Sequence, residues 1–198
     1  MSQFIESICI KDGLVRNLTV HQSRVDRTFN AFAASEKPID LFVSVGHLVI
    51  PGTGWYKLRV TYDLAGNQAA ELIPYQMKSI SKFGLIDIQG KTYEFKYANR
   101  DWINEALEAS GMDEIIMHDA GLIKDTSYAN LVFYDGMGWH TPEAPLLEGT
   151  QRGKLIQEGI IQTKSLYLED LAKYTKFKCI NALMGWEDAI EYDLSMIG

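Results

Sequence analysis

The chain has 198 residues, 46% hydrophobic and 23% charged, an ordinary globular balance with enough length to bury a core as one domain or two small ones. Its formal charge of -7 and the lack of any Lys/Arg cluster argue against a nucleic-acid surface, which would carry a basic patch. No apolar run approaches the ~20 residues of a membrane span, and Met1-Ser2-Gln3-Phe4-Ile5-Glu6-Ser7 has no basic region followed by an apolar core, so a soluble cytoplasmic protein without a membrane partner is expected.

Residues 4–10 read as a strand, Asp12-Gly13 as a hairpin turn and Val15 to Leu18 as the return strand. Thr19 is placed to cap a helix over residues 20–34. On that helix Val20, Arg24 and Arg27 fall close to one face, and His21 neighbours Arg24 and Val25 on the adjoining face, so a positive group can be aimed from a fixed support. Residues 41–50 are apolar and read as a short helix or turn leading to Pro51-Gly52-Thr53-Gly54. Residues 56–62 and 71–80 alternate as antiparallel strands around the turn Leu64-Ala65-Gly66-Asn67, completing a small α+β unit. A boundary falls between residues 83 and 90, giving a small α+β domain over residues 1–86 and a larger α/β domain over residues 87–198.

In the larger domain, residues 101–109 form a helix with Trp102, Ala106 and Leu107 on its apolar side, stopped by Gly111. Short strands follow at residues 114–118, 122–123 and 130–134, and Asp135-Gly136-Met137-Gly138 turns the last of them into Trp139-His140-Thr141. Residues 149–158 and 169–173 read as helices, and residues 176–181 as a buried strand. Cys9 and Cys179 lie far apart, each in an apolar run, and are expected to be reduced core thiols. His47, His118 and His140 have no metal-ligand spacing, so no metal is expected.

Four ordered segments carry the chemistry: His21-Gln22-Ser23-Arg24; Lys96-Tyr97-Ala98-Asn99-Arg100; Asp125-Thr126-Ser127-Tyr128-Ala129-Asn130; and Thr141-Pro142 running on to Gly149-Thr150-Gln151-Arg152, with Asn181-Ala182-Leu183-Met184 beyond them. Gly149 leads a helix start, where unpaired N–H groups and the positive dipole end suit an anion. A guanidinium such as that of Arg24 suits a phosphate by its planar donor fork. Taken together, and over nearly the whole chain, these segments resemble the class IV pyridoxal-phosphate enzymes.

The resemblance implies a two-domain α+β fold of the class IV aminotransferase (D-amino-acid aminotransferase-like) type. Family members carry a further N-terminal strand with a Tyr/Phe-Gly-Asp-Gly turn ahead of the segment matching Phe4 to Ile10, so the fold is expected to be truncated at the N-terminus. It implies pyridoxal 5'-phosphate as cofactor, Lys96 as Schiff-base and catalytic lysine, and Asp125 against the pyridine nitrogen. Position 125 is usually glutamate in the family, so Asp125 keeps the charge one methylene shorter. Arg24, Asn130, Thr150, Gln151, Asn181 and Ala182 are the further cofactor-binding residues; Thr150 and Gln151 replace the usual Ile-Thr and leave the backbone donors intact. His21 is read as packing or hydrogen-bonding locally.

Within the family, Lys-x-x-Asn-Arg and Asn181-Ala182-Leu183-Met184 are most like the 4-amino-4-deoxychorismate lyases. The implied reaction turns 4-amino-4-deoxychorismate into p-aminobenzoate and pyruvate, a step toward folate, in a homodimer acting on a small-molecule amine. The alternatives are an aminotransferase acting on branched-chain or D-amino acids, and a non-catalytic remnant that still binds the cofactor.

Overall fold

The computed structural model describes residues 3–198. The chain divides into two compact units: the first runs to Met77 and takes back Phe95–Asn99, and the second comprises Lys78–Glu94 and Arg100–Gly198. The change of unit thus lies ahead of the boundary set after residue 86.

The first unit is a four-stranded antiparallel sheet in the order β2-β1-β3-β4, with β1 at Gln3–Lys11, β2 at Leu14–Val15, β3 at Trp55–Asp63 and β4 at Gln68–Pro74. At the β1–β2 turn both Asp12 (φ 50°) and Gly13 (φ 78°) are left-handed, the backbone that matches the twist of a two-residue hairpin. Alternate residues of β1 and β3, among them Phe4, Ile8, Ile10, Leu58, Val60 and Tyr62, bury against helices α1 (Leu18–Phe32) and α2 (Leu41–Gly46) through Val25, Phe29, Leu41 and Val45.

Helix α1 and strand β4 differ in extent from the sequence reading. The helix starts at Leu18 and not after Thr19: its N-cap is Asn17 in the left-handed region (φ 55°), with no side-chain cap, a conformation that Asn tolerates better than most residues. That early turn also cuts β2 to two residues. In the other case β4 ends at Pro74 instead of running to residue 80, since proline brings no N–H to a ladder and is kept to sheet edges. The short helix at 41–46 forms as read, with the Asp40 side chain accepting from the N–H groups of Phe42 and Val43. The strap Phe95–Asn99 runs beside β1, where Ile5 N–H donates to the Lys96 carbonyl (2.9 Å) and Ala98 N–H to the Gln3 carbonyl (2.8 Å).

The second unit is built on a mixed sheet. Strands β5 (Phe83–Asp87) and β6 (Glu114–Asp119) are parallel, joined through α3 (Asp101–Ser110); β7 (Leu122–Thr126), β8 (Asn130–Tyr134) and β9 (Trp139–Pro142) follow antiparallel. Helix α4 (Thr150–Gln157) leads to β10 (Gln162–Lys164), parallel to β9, while β11 (Lys176–Ile180) pairs with β8 and with β12 (Glu191–Asp193). Gly111 ends α3 with φ 64°, the left-handed cap that glycine takes without strain. Within the stretch 83–90 expected to hold the boundary, residues 83–87 are a paired strand of this unit: Phe83 is fully buried and meets Phe177 and Tyr192 edge-on, each at 5.0 Å between ring centroids. Residues 168–173 form a 3-10 turn where a helix over 169–173 was read.

Cys9 and Cys179 are both buried, neither in a disulfide, and burial raises the Cys179 thiol far above its ordinary pKa. Among the described residues no helix is long and apolar enough to cross a membrane.

Candidate active site

The residues singled out in the sequence fall into two groups, one in each unit. In the first, the inward face of β1 reads Phe4, Glu6, Ile8, Ile10, so that a carboxylate stands among core residues. A buried charge needs a partner, and Glu6 has two on α1. Arg24 donates through Nε to Oε1 (2.8 Å) and through Nη2 to Oε2 (2.6 Å), while His21 Nδ1 lies 2.6 Å from Oε2. All three side chains are buried.

Burial works to raise the Glu6 pKa, but the Arg24 guanidinium and then His21 outweigh it and hold the carboxyl at about 2. An ionised carboxylate only accepts, so Nδ1 of His21 carries the proton. Burial lowers the His21 pKa despite Glu6, and the charges of Arg24 and Lys96 lower it further, which favours the neutral ring hydrogen-bonded to Glu6. Lys96 is partly buried on the strap beside β1 and near enough to His21 to act on it electrostatically. Sequence reasoning missed Glu6. The signal was there: one acidic residue at an inward position of an apolar alternation.

In the second unit β7 and β8 meet at Asp125↔Asn130, and β11 meets β8 at Ile180↔Asn130. That register brings Asp125, Asn130 and the turn Asn181-Ala182 to one end of the sheet; in the turn, Asn181 Oδ1 accepts Leu183 N–H (2.9 Å). Asn130 Nδ2 donates both to Asp125 Oδ1 (2.7 Å) and to the Leu147 carbonyl (2.8 Å), and Leu147 N–H donates to Asp125 Oδ2 (2.8 Å). The loop before α4 is thereby tied to the acid. Arg152 fixes α4 to β9, donating to Thr141 Oγ1 (3.2 Å) and to the Pro142 carbonyl (2.8 Å).

Burial raises the Asp125 pKa from 3.8 to about 6, even though Asn130, the Leu147 N–H and the charge of Arg152 all favour its ionised form. A cationic N–H placed against it would relieve that cost. Gly149 is the N-cap of α4, and a Cβ built on it would lie 1.9 Å from Asn130 Oδ1. Next to it, Thr150 Oγ1 is buried with no hydrogen-bond partner, at a helix start whose first N–H groups find no acceptor within the helix. An anion at the α4 start and a protonated ring nitrogen at Asp125 are what these groups are chemically suited to take, so the residues fit pyridoxal phosphate.

The Gly149 contact makes a direct prediction. Gly149→Ala pushes Asn130 off Asp125 or the loop off Asn130, and should cost about 1–3 kcal/mol of stability, as overpacking does, together with weakened cofactor binding. Thermal unfolding and a cofactor titration measure both; an unchanged variant would show that Asn130 gives way freely.

The family description of the class IV amino-transferases matches residues 3–190. An uncharacterized protein of Haemophilus influenzae (strain Rd) is 34% identical over 189 residues, spanning 93% of this chain and 100% of its own. Among solved structures, a candidate 4-amino-4-deoxychorismate lyase from Haemophilus somnus 129PT superposes with a TM-score of 0.85 at 30% identity, over 93% of this chain and 98% of that one. An aminotransferase from Brucella abortus, bound to the cofactor pyridoxal phosphate, superposes at 0.73 over 96% of this chain and 79% of its own, and at 15% identity that likeness is one of fold. The chain belongs to the class IV aminotransferase family. It is accordingly a pyridoxal-phosphate-dependent enzyme.

Proposed function

We propose that the enzyme is a lyase that converts 4-amino-4-deoxychorismate to p-aminobenzoate and pyruvate, supplying a folate precursor. The observation that carries this choice within the family is the 30% identity, over nearly the full length of both chains, to the Haemophilus somnus candidate lyase, joined to the Lys-x-x-Asn-Arg and Asn-Ala-Leu-Met segments. When bound, pyridoxal phosphate supplies an electron sink for the bonds made and broken at the substrate's amine-bearing carbon.

The protein's residues do the rest. Lys96 would carry the cofactor until the substrate amine displaces it; the freed Nζ would then take the proton from that carbon and return one to the departing enolpyruvyl group as it leaves as pyruvate, so a single amine would serve as general base and general acid. The Asp125 carboxylate holds the proton on the ring nitrogen, with Asn130 and the Leu147 N–H keeping it in place. The N–H groups of Thr150 and Gln151 and Thr150 Oγ1 would hold the phosphate, Asn181 and Ala182 would border the cofactor, and the resemblance assigns Arg24 to the phosphate as well. We place the reaction in the cytoplasm, as composition suggests, and in a homodimer, as the resemblance implies.

The test is made on products. Purified enzyme given 4-amino-4-deoxychorismate and no keto acid should release pyruvate and p-aminobenzoate in equal amounts. Turnover that requires a keto-acid acceptor and yields a new amino acid would instead establish an aminotransferase.

A further inference from the structure

We propose that Glu6 is a positioning residue: with one buried carboxylate it fixes the plane of the Arg24 guanidinium and the tautomer of His21, and so sets how strongly the enzyme prefers a phosphorylated cofactor. The proposal rests on the reading of Arg24 as a phosphate-holding group given above.

The geometry is that of a clamp. Arg24 and His21 lie three residues apart on α1, hence on neighbouring positions of one face, and both reach the same carboxylate on β1. A guanidinium engaged through Nε and Nη2 at 2.8 and 2.6 Å is held in its plane, and such two-pronged pairing adds direction as well as strength. His21 contributes the third donor to Glu6, while its Nε2 is buried and has no hydrogen-bond partner. The imidazole therefore steadies Glu6 and through it Arg24. The residue before Glu6 does the same for the other reactive group: Ile5 N–H holds the Lys96 carbonyl at 2.9 Å. Two consecutive residues of β1 thus set the strap of the catalytic lysine and the direction of the arginine.

Three roles for Glu6 differ in sign. If it only fills a buried position, its loss weakens pyridoxal phosphate and the unphosphorylated pyridoxal alike. Were it only damping the charge of Arg24, removing it would raise the preference for the phosphate. As a positioning residue, its loss lowers that preference.

The experiment is an equilibrium titration of the full chain with pyridoxal phosphate and, separately, with pyridoxal, followed by the absorbance of the bound cofactor. It uses the wild type, Glu6→Gln, Glu6→Asp, Arg24→Met and the double variant Glu6→Gln with Arg24→Met. The affinity ratio should fall about tenfold in Glu6→Gln, a coupling usual for polar side chains in contact, and less in Glu6→Asp. The double variant should fall no further than Arg24→Met alone. An unchanged or raised ratio in Glu6→Gln, with Arg24→Met lowered, overturns the positioning role and leaves Arg24 in place. An unchanged ratio in Arg24→Met overturns the reading of Arg24, and the proposal with it. Should Glu6→Gln fail to fold, Glu6→Asp, which keeps the charge one methylene short, decides by the same criterion.

Discussion

Lys96→Ala is expected to lower kcat at least about 10^3-fold, because in the proposed mechanism it removes the attachment point of the cofactor together with the base and the acid, and proton transfer alone contributes on the order of 10^2- to 10^4-fold. Fold and stability should change little. The strap is held to β1 by backbone groups, the Lys96 carbonyl and the Ala98 N–H, which alanine keeps. Arginine is no substitute, since a guanidinium stays protonated at neutral pH and can neither carry the cofactor nor act as base. Steady-state kinetics on folded Lys96→Ala and Lys96→Arg proteins check this; a variant within tenfold of wild type would remove Lys96 from the chemistry.

The second large effect is expected at Asp125. Asp125→Asn keeps the shape but loses the charge that would hold the ring nitrogen protonated, and turnover should drop on the order of 10^2- to 10^3-fold, as when one preset electrostatic partner is lost at a reacting centre. A pH dependence goes with it. In the cofactor-free protein the Asp125 pKa is raised to about 6 from 3.8, so the folded chain holds this proton more tightly than the unfolded one. Its contribution is therefore present in full below about pH 4 and lost as pH rises through about 6. The two values differ by roughly two pH units, or about 3 kcal/mol. Unfolding free energy, measured from pH 4 to 7, should decline in the cofactor-free wild type relative to Asp125→Asn, and the decline should shrink once the cofactor is bound. A constant difference between the two proteins across that range would contradict it. Glu6 works in the opposite direction: its pKa is depressed to about 2, so its stabilisation is present above pH 4.5 and fades only in strong acid.

What the sequence made legible follows periodicity and punctuation. β1, β3 and α3 could be read because their apolar residues recur at strand or helix spacing and because Gly13 and Gly111 mark their ends with backbone that other residues avoid. The strand β5 could not. Phe83-Gly84-Leu85-Ile86-Asp87 is short and flanked by turn residues, and its identity comes from pairing with β6, which is distant in sequence. β10 and β12, of three residues each, are defined by partners in the same way. Among site residues, Asp125 and Asn130 were visible as a spaced pair, but their joint hold on Leu147 depends on a loop whose course no local pattern gives. Glu6 was overlooked because a strand reading weighs apolar positions and passes over the exception, while the exception adds three polar contacts from β1 to α1 beside their apolar packing.

In the proposed mechanism Lys96 carries pyridoxal phosphate. Wild-type protein loaded with the cofactor and reduced with borohydride, then digested and sequenced by mass spectrometry, should show the added mass of the reduced phosphopyridoxyl group on the peptide containing Lys96 and on no other lysine. Modification of another lysine, or no modified lysine at all after loading and reduction, would show that Lys96 does not carry the cofactor.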